Sequence, residues 1–430
     1  MTVSFKQLTI YSICLYCMLM VSSCKKDERM FSSLPPEETG IFFANTITET
    51  EELNINQYLY AHNGGGVAIG DINNDGLPDI YLTANQLANK LYLNKGNLKF
   101  EDITDRAGVS GSYGPSNWTT GVVMADVNGD GRLDIYVSEV SHYRSFEGVN
   151  QLYINNGDLT FTESAEEYGL ALKSYSQHAT FFDYDLDGDL DMYQLNHSVH
   201  NPDVYIHASL RSKRDSLAGD RLFRNDNGKF TDVSDAAGIY GGATGYGLAV
   251  AIGDIDNNGC PDIYVSNDFH ENDYVYYNNC DGTFREDVRG TLGHCSTFSM
   301  GNDIADFNND GWLDIFTLDM KPADEVIRKS SAGPDPYDIF NYKLGFGYFY
   351  QYPRNMLHLN RGNLFEKNVQ FSEVGQFSGV DATDWSWSVL MADLDNDGWK
   401  DIFITNGIAR RPIDLDYINF TYNDDVHKNI

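Results

Sequence analysis

The stretch "DINNDGLPDI", residues 71–80, decides how this chain is read. Three carboxylates, Asp71, Asp75 and Asp79, and the amide of Asn73 crowd into nine residues around Gly76, and the strand formers Ile80, Tyr81 and Leu82 follow. Like charges this close repel unless something neutralises them. The pattern recurs as "DVNGDGRLDI" from Asp126, "DYDLDGDLDM" from Asp183, "DIDNNGCPDI" from Asp254, "DFNNDGWLDI" from Asp306 and "DLDNDGWKDI" from Asp393. Successive starts lie 55, 57, 71, 52 and 87 residues apart, and all six fit D-x-[DN]-x-[DN]-G-x-x-D. Six matches with the same flanks are an internal repeat.

The flanks give the repeat its fold. A short apolar run precedes each loop ("GVAIG", "GVVMA", "ATFFD", "LAVAIG", "GNDIA", "SVLMA"), and Ile or Met, then Tyr or Phe, follows it. Farther on stand "KLYLNKGNLKFEDIT", "QLYINNGDLTFTESA", "RLFRNDNGKFTDVS", "YVYYNNCDGTFRED" and "MLHLNRGNLFEKNV". Each is a hairpin signal, two β-rich runs around an Asn/Asp/Gly turn. Four antiparallel strands per unit of about 50 residues mark a propeller blade. An all-β β-propeller is expected, with six calcium-loop blades counted, or seven if residues 39–65 and the long insertion hide another. Insertions at 197–220 and 321–353 fall between second and third strands, where a binding surface would be elaborated. The sixth unit has no hairpin after "DIFITNGIARRPIDLDYINF". "TGIFFANTITET", 39–50, is therefore expected to supply its outer strand and close the ring.

Hard oxygens at alternating positions suit Ca²⁺, which takes six to eight oxygens at about 2.3–2.6 Å, better than Mg²⁺ with its strict octahedron. The expected ligands are the side chains at loop positions 1, 3, 5 and 9 and the carbonyl at position 7, for up to six ions. In the first three loops these are Asp71, Asn73, Asp75, Leu77 and Asp79; Asp126, Asn128, Asp130, Arg132 and Asp134; and Asp183, Asp185, Asp187, Asp189 and Asp191. In the last three they are Asp254, Asp256, Asn258, Cys260 and Asp262; Asp306, Asn308, Asp310, Trp312 and Asp314; and Asp393, Asp395, Asp397, Trp399 and Asp401. Position 12 (Leu82, Val137, Gln194, Val265, Thr317, Ile404) is never acidic, so these are not EF-hands. Loops three and six carry four ligand carboxylates and the others three, so these two are expected to hold Ca²⁺ longest.

The 430 residues carry a net charge of −33, which excludes nucleic acid as a partner. An aromatic content of 13% excludes a disordered acidic tail. "MTVSFKQLTIYSICLYCMLMVSSC" reads as a secretory signal over 1–23, too short for a spanning helix. "VSSC" resembles a bacterial lipobox. That resemblance implies lipidation of Cys24 and attachment to the membrane by the lipid anchor only; a linker over 24–37 then leads to the propeller that the repeats place over 38–430. The alternative is an ordinary cleaved signal. "KKDERM" resembles the signal that sends lipoproteins of Bacteroidota to the cell surface, which implies a Gram-negative outer-membrane lipoprotein exposed outside.

Cys260, Cys280 and Cys295 remain in the mature chain. Antiparallel pairing brings Cys260 and Cys280 to one end of a blade, where a disulfide can join them and leave Cys295 free. His197, His200 and His207 read as a solvated loop rather than a Zn²⁺ site, and Trp385 and Trp387 as core rather than a sugar platform. No G-x-S-x-G, H-E-x-x-H or P-loop occurs.

Taken together, the repeats resemble the FG-GAP/VCBS family, which includes the integrin α-subunit propeller, the cartilage acidic protein group and surface lipoproteins of Bacteroidota. Residues 64–109 and 384–408 carry the resemblance most strongly, and it runs over 38–420. It implies a Ca²⁺-bearing propeller, usually seven-bladed. Relatives of the lipoprotein type often run longer, so a truncated C-terminus is an expectation here. The function expected is a non-enzymatic binding, scaffold or adhesion module at the envelope surface, with a glycan or envelope protein as ligand. The alternatives are a calcium-dependent polysaccharide lyase-like enzyme and an accessory subunit of an outer-membrane transporter.

Overall fold

A strand, an acidic loop and a second strand recur six times in the computed structural model, which describes residues 30–202, 204–363, 369–408 and 411–421. The signal segment and Cys24 lie outside the described residues. Five four-stranded antiparallel sheets follow in chain order. Sheet one is Val67–Gly70, Asp79–Leu82, Lys90–Asn94 and Phe100–Asp102. Sheet four is Gly247–Gly253, Asp262–Asn267, Tyr274–Asn278 and Phe284–Glu286. Among the described residues, sheet six consists of Ser386–Ala392 and Asp401–Asn406.

The first strand of each sheet packs against the first strand of the next, from sheet one to sheet six. Burial of both faces follows. The second strands Asp134–Glu139, Asp191–Asn196 and Asp262–Asn267 are buried at every residue, and alternate side chains serve different neighbours. In sheet two, Ile135 and Val137 join the cluster shared with sheet one, while Tyr136 joins that shared with sheet three. Removing such surface from water stabilises the stack by about 25 cal/mol per Å² of apolar area. The glycines flanking the first strands let backbones approach. A Cβ at Gly301 would lie 2.4 Å from the Trp387 carbonyl oxygen.

The insertions fall between second and third strands as expected. The longer one folds into helices Glu325–Ser330 and Tyr337–Gly345, and its Gln351–Tyr352 pairs in parallel with Cys295–Ser296. Neither it nor residues 39–65 form a further four-stranded sheet among the described residues.

Two expectations are corrected. Residues 40–50 form no strand and do not pair with sheet six. This polar segment spends its hydrogen bonds on sheet one. Asn45 exchanges bonds with Asn85 at 2.7 and 3.0 Å, and the Thr48 amide donates to Gln86 Oε1. Contact with sheet six comes earlier in the chain, where the Phe31 ring lies 5.6 Å from that of Phe403. The fifth hairpin is also longer than "MLHLNRGNLFEKNV", because its returning strand is Phe371–Glu373.

Candidate metal centres

Each acidic loop is folded by its own carboxylates. The position-1 Asp accepts from the amides of positions 5 and 6 in all six loops, at 2.7–3.1 Å. Position 4 takes a left-handed conformation, as at Asn74 (φ 56°) and Asn257 (φ 56°), and Gly at position 6 continues the turn, as at Gly76 (φ 84°). These bends turn side chains 1, 3 and 9 inward.

Position 9 has a different task. Asp79, Asp134, Asp191, Asp262 and Asp314 are at most 1% exposed. One oxygen of each accepts from the position-2 amide at 2.8–3.1 Å. The other accepts from the amide of an Asn ending the third strand at 2.7–2.8 Å. Burial pushes these carboxyls up, with neighbouring loop carboxylates adding and the two amides opposing. Asp191 and Asp262 reach about 7, and Asp134 and Asp314 about 6. A divalent cation would reverse that shift by stabilising the charged form.

Those third-strand asparagines, Asn94, Asn155, Asn225, Asn278 and Asn360, are the functional residues that sequence reasoning missed. Each side-chain amide donates to the position-8 carbonyl of its own loop. From sheet two onward it also reaches the position-2 carbonyl of the preceding loop, for instance Asn278 to Tyr184 at 2.7 Å and Asn360 to Ile255 at 2.9 Å. The signal was present: Asn is fifth in every hairpin quoted above.

The donor sets fit a hard cation unequally. Three carboxylate oxygens lie within 4.8 Å of one another in loop three (Asp183, Asp185, Asp191), loop four (Asp254, Asp256, Asp262) and loop six (Asp393, Asp395, Asp401). Asp185 Oδ1 in loop three is buried with no hydrogen-bond partner, which a cation would satisfy. In loops one and five the position-3 amide instead donates to the position-5 carboxylate, Asn73 to Asp75 and Asn308 to Asp310, each at 3.0 Å. In loop two, Arg132 pairs through its guanidinium with Asp130 and already offsets part of the charge.

The other singled-out residues separate. Cys260 and Cys280 form a disulfide that ties loop four to its hairpin turn, and Cys295 is free and buried. The three histidines do not converge. His207 caps the short helix Ala208–Ser212, while His197 is buried against the Tyr60 ring at 3.9 Å, not solvated, and burial lowers it to about 3. Trp385 is core at 7% exposure, and Trp387 is half-buried beside it. Among the described residues no helix is long and apolar enough to cross a membrane.

Comparison with known proteins matches residues 71–137, 201–265, 254–317 and 349–404 to the FG-GAP-like repeat model, leaving loop three between matched segments. Cartilage acidic protein 1 of Xenopus tropicalis is 26% identical over 264 residues, which is 58% of this chain and 39% of that protein. The Mus musculus protein of that name is 29% identical over 136 residues, 31% of this chain and 20% of that protein. The chain thus spans well under half the length of these relatives. A solved Agrocybe aegerita lectin, described as recognising non-reducing terminal N-acetylglucosamine, is similar at TM-score 0.42 and 17% identity, over 78% of this chain and 72% of that one.

Proposed function

The chain belongs to the FG-GAP-like repeat family, and from that premise we propose that it is a calcium-stabilised β-propeller serving as a non-enzymatic binding or scaffold module. Its six sheets are the blades, and a lipid on Cys24 carries it at the outer surface of the envelope. The observation that carries the reading is the position-9 carboxylate. It is buried and bonded to two backbone amides in five loops, so the acidic groups are engaged in holding sheets together. A contact between early and late segments supports the reading, with Tyr417 donating to Asn56 Oδ1 at 2.6 Å. Each ion would cross-link a loop whose charges otherwise repel, and so bind the folded chain alone.

Calorimetry on the metal-free mature protein tests this. Calcium uptake with a rise in Tm is expected, and the loops with three converging carboxylates release the ion last under chelator. No uptake, or uptake without stabilisation, would sink the metal reading. For the module reading, co-purification from envelope extracts should recover a protein or glycan ligand; turnover of acidic polysaccharides would replace it with an enzyme.

A further inference from the structure

The segment 55–63, the ends of sheets four, five and six, and helix Leu415–Thr421 line a half-open cleft of about 860 Å³. Its walls include Tyr60, Phe269, Phe298, Met320, Trp385 and Trp387. None of its described lining residues carries a basic side chain. One lining group is acidic, Asp268, and it is 3% exposed. Tyr60 Oη donates to Asp268 Oδ2 at 2.9 Å and the Phe269 amide to Oδ1 at 2.8 Å. No base acts on it. Burial pushes its carboxyl up to about 7 against the two donors, with Asp319 adding the least. Two donors lining the same space, Trp385 Nε1 and Asn63 Nδ2, are buried without a partner.

We propose that this cleft binds a small organic amine, with its ammonium against Asp268 and the aromatic faces, its apolar body between the rings, and an oxygen accepting from Trp385 Nε1. A concave, mostly apolar space with a few fixed polar groups is the usual form of a small-ligand site. Aromatic faces attract a cation most strongly where it is desolvated, and a buried carboxylate without a base is costly until a cation meets it. The charge of −33 raises the local concentration of cations and repels anions. A sugar would bring hydroxyls on every side against walls that are mostly aromatic and aliphatic. The inference rests on the binding-module reading and gives it a ligand class.

Tyramine, its neutral counterpart tyrosol and the anion 4-hydroxyphenylacetate are titrated into the calcium-loaded mature protein. Physiological salt screens surface attraction, and the pH is held above that at which Asp268 ionises. Tyramine is expected to bind at least about tenfold more tightly than tyrosol, with the anion weakest. Asp268→Asn closes the gap by weakening tyramine far more than tyrosol. Trp387→Leu, on a half-buried wall, weakens tyramine more than tyrosol and keeps the test open if Asp268→Asn fails to fold. Equal binding of the three probes, no binding, a gap surviving in Asp268→Asn, or tighter binding of methyl glucoside than of tyramine would each overturn the proposal. Calcium uptake on the same sample separates the readings, since uptake without tyramine binding removes this inference alone.

Discussion

Sheets four and six carry the same nine-residue loop in different surroundings. Both loops fold the same turn. The Asp254 carboxylate accepts from the Asn258 and Gly259 amides at 2.9 and 2.8 Å, and that of Asp393 from Asp397 and Gly398 at 3.0 and 2.9 Å. In sheet four a third strand covers the loop. Asp262 is fully buried and doubly bonded, and a disulfide locks position 7 to the hairpin turn. In sheet six no third strand stands among the described residues. Asp401 is half-buried and accepts from the Leu394 amide at 3.0 Å, and Trp399, at the place of Cys260, is 56% exposed. Loop shape is therefore local, and the loop's weight in stability is tertiary.

The largest effect should fall on position 9. Asp262→Ala strands the Ile255 and Asn278 amides and is expected to cost about 4 kcal/mol, whereas Asp401→Ala strands one partly wet amide and costs about 1 kcal/mol. Urea unfolding of the two variants in metal-free buffer measures both, and equal losses would erase the distinction between the sheets. Replacing Cys260 and Cys280 together by Ser comes next. The bridge spans 20 residues, and removing a cross-link over such a loop costs about 3 kcal/mol. The loss should appear in sheet four first, as faster hydrogen exchange along Tyr274–Asn278.

A third difference is electrostatic. Burial alone would raise Glu373 in sheet five, but hydrogen bonds from His294 and Arg354 and the Gly375 amide overcome it and hold the carboxyl down at about 2. A carboxyl lowered on folding stabilises the native state above its ordinary value near 4.5 and loses that contribution as pH falls toward 2. Glu373→Gln should flatten the Tm decline over that window and lower Tm at neutral pH. A Tm profile parallel to that of the parent would show that the Arg354 pair contributes nothing.

Much of this was legible because it is local. Period-two strands, Asn/Asp/Gly turns and six identical loop frames are set by residues within a few positions of each other, and they gave the sheets, the insertions and the Cys260–Cys280 bridge. What depended on long-range pairing was misread. The missing sixth hairpin makes 39–50 an expected outer strand, yet its Asn45 and Thr48 find side-chain partners on sheet one. The sequence presents position 9 as one ligand among equals, because its burial comes from the third strand, distant in sequence. Arg132 was counted only for its carbonyl, although its guanidinium engages the neighbouring Asp130.

The smallest effect should be at position 7, and it sharpens the comparison most cleanly because sheets five and six both have Trp there. Trp312 packs on its hairpin turn, where a Cβ on Gly362 would lie 2.8 Å from the indole. Trp399 has no such turn beside it among the described residues and stands 56% exposed. Trp312→Ala should therefore cost about 2 kcal/mol through lost packing, and Trp399→Ala less than about 0.5 kcal/mol. The two indoles also stand next to their loops, so Tb³⁺ in place of Ca²⁺ should luminesce on excitation of tryptophan from loops five and six. Trp399→Phe would remove the share from loop six, which the converging carboxylates there should make the last to fade under chelator. If Trp399→Ala destabilises as much as Trp312→Ala, sheet six is covered by something beyond its two strands, and the contrast between the sheets fails at its most exposed point.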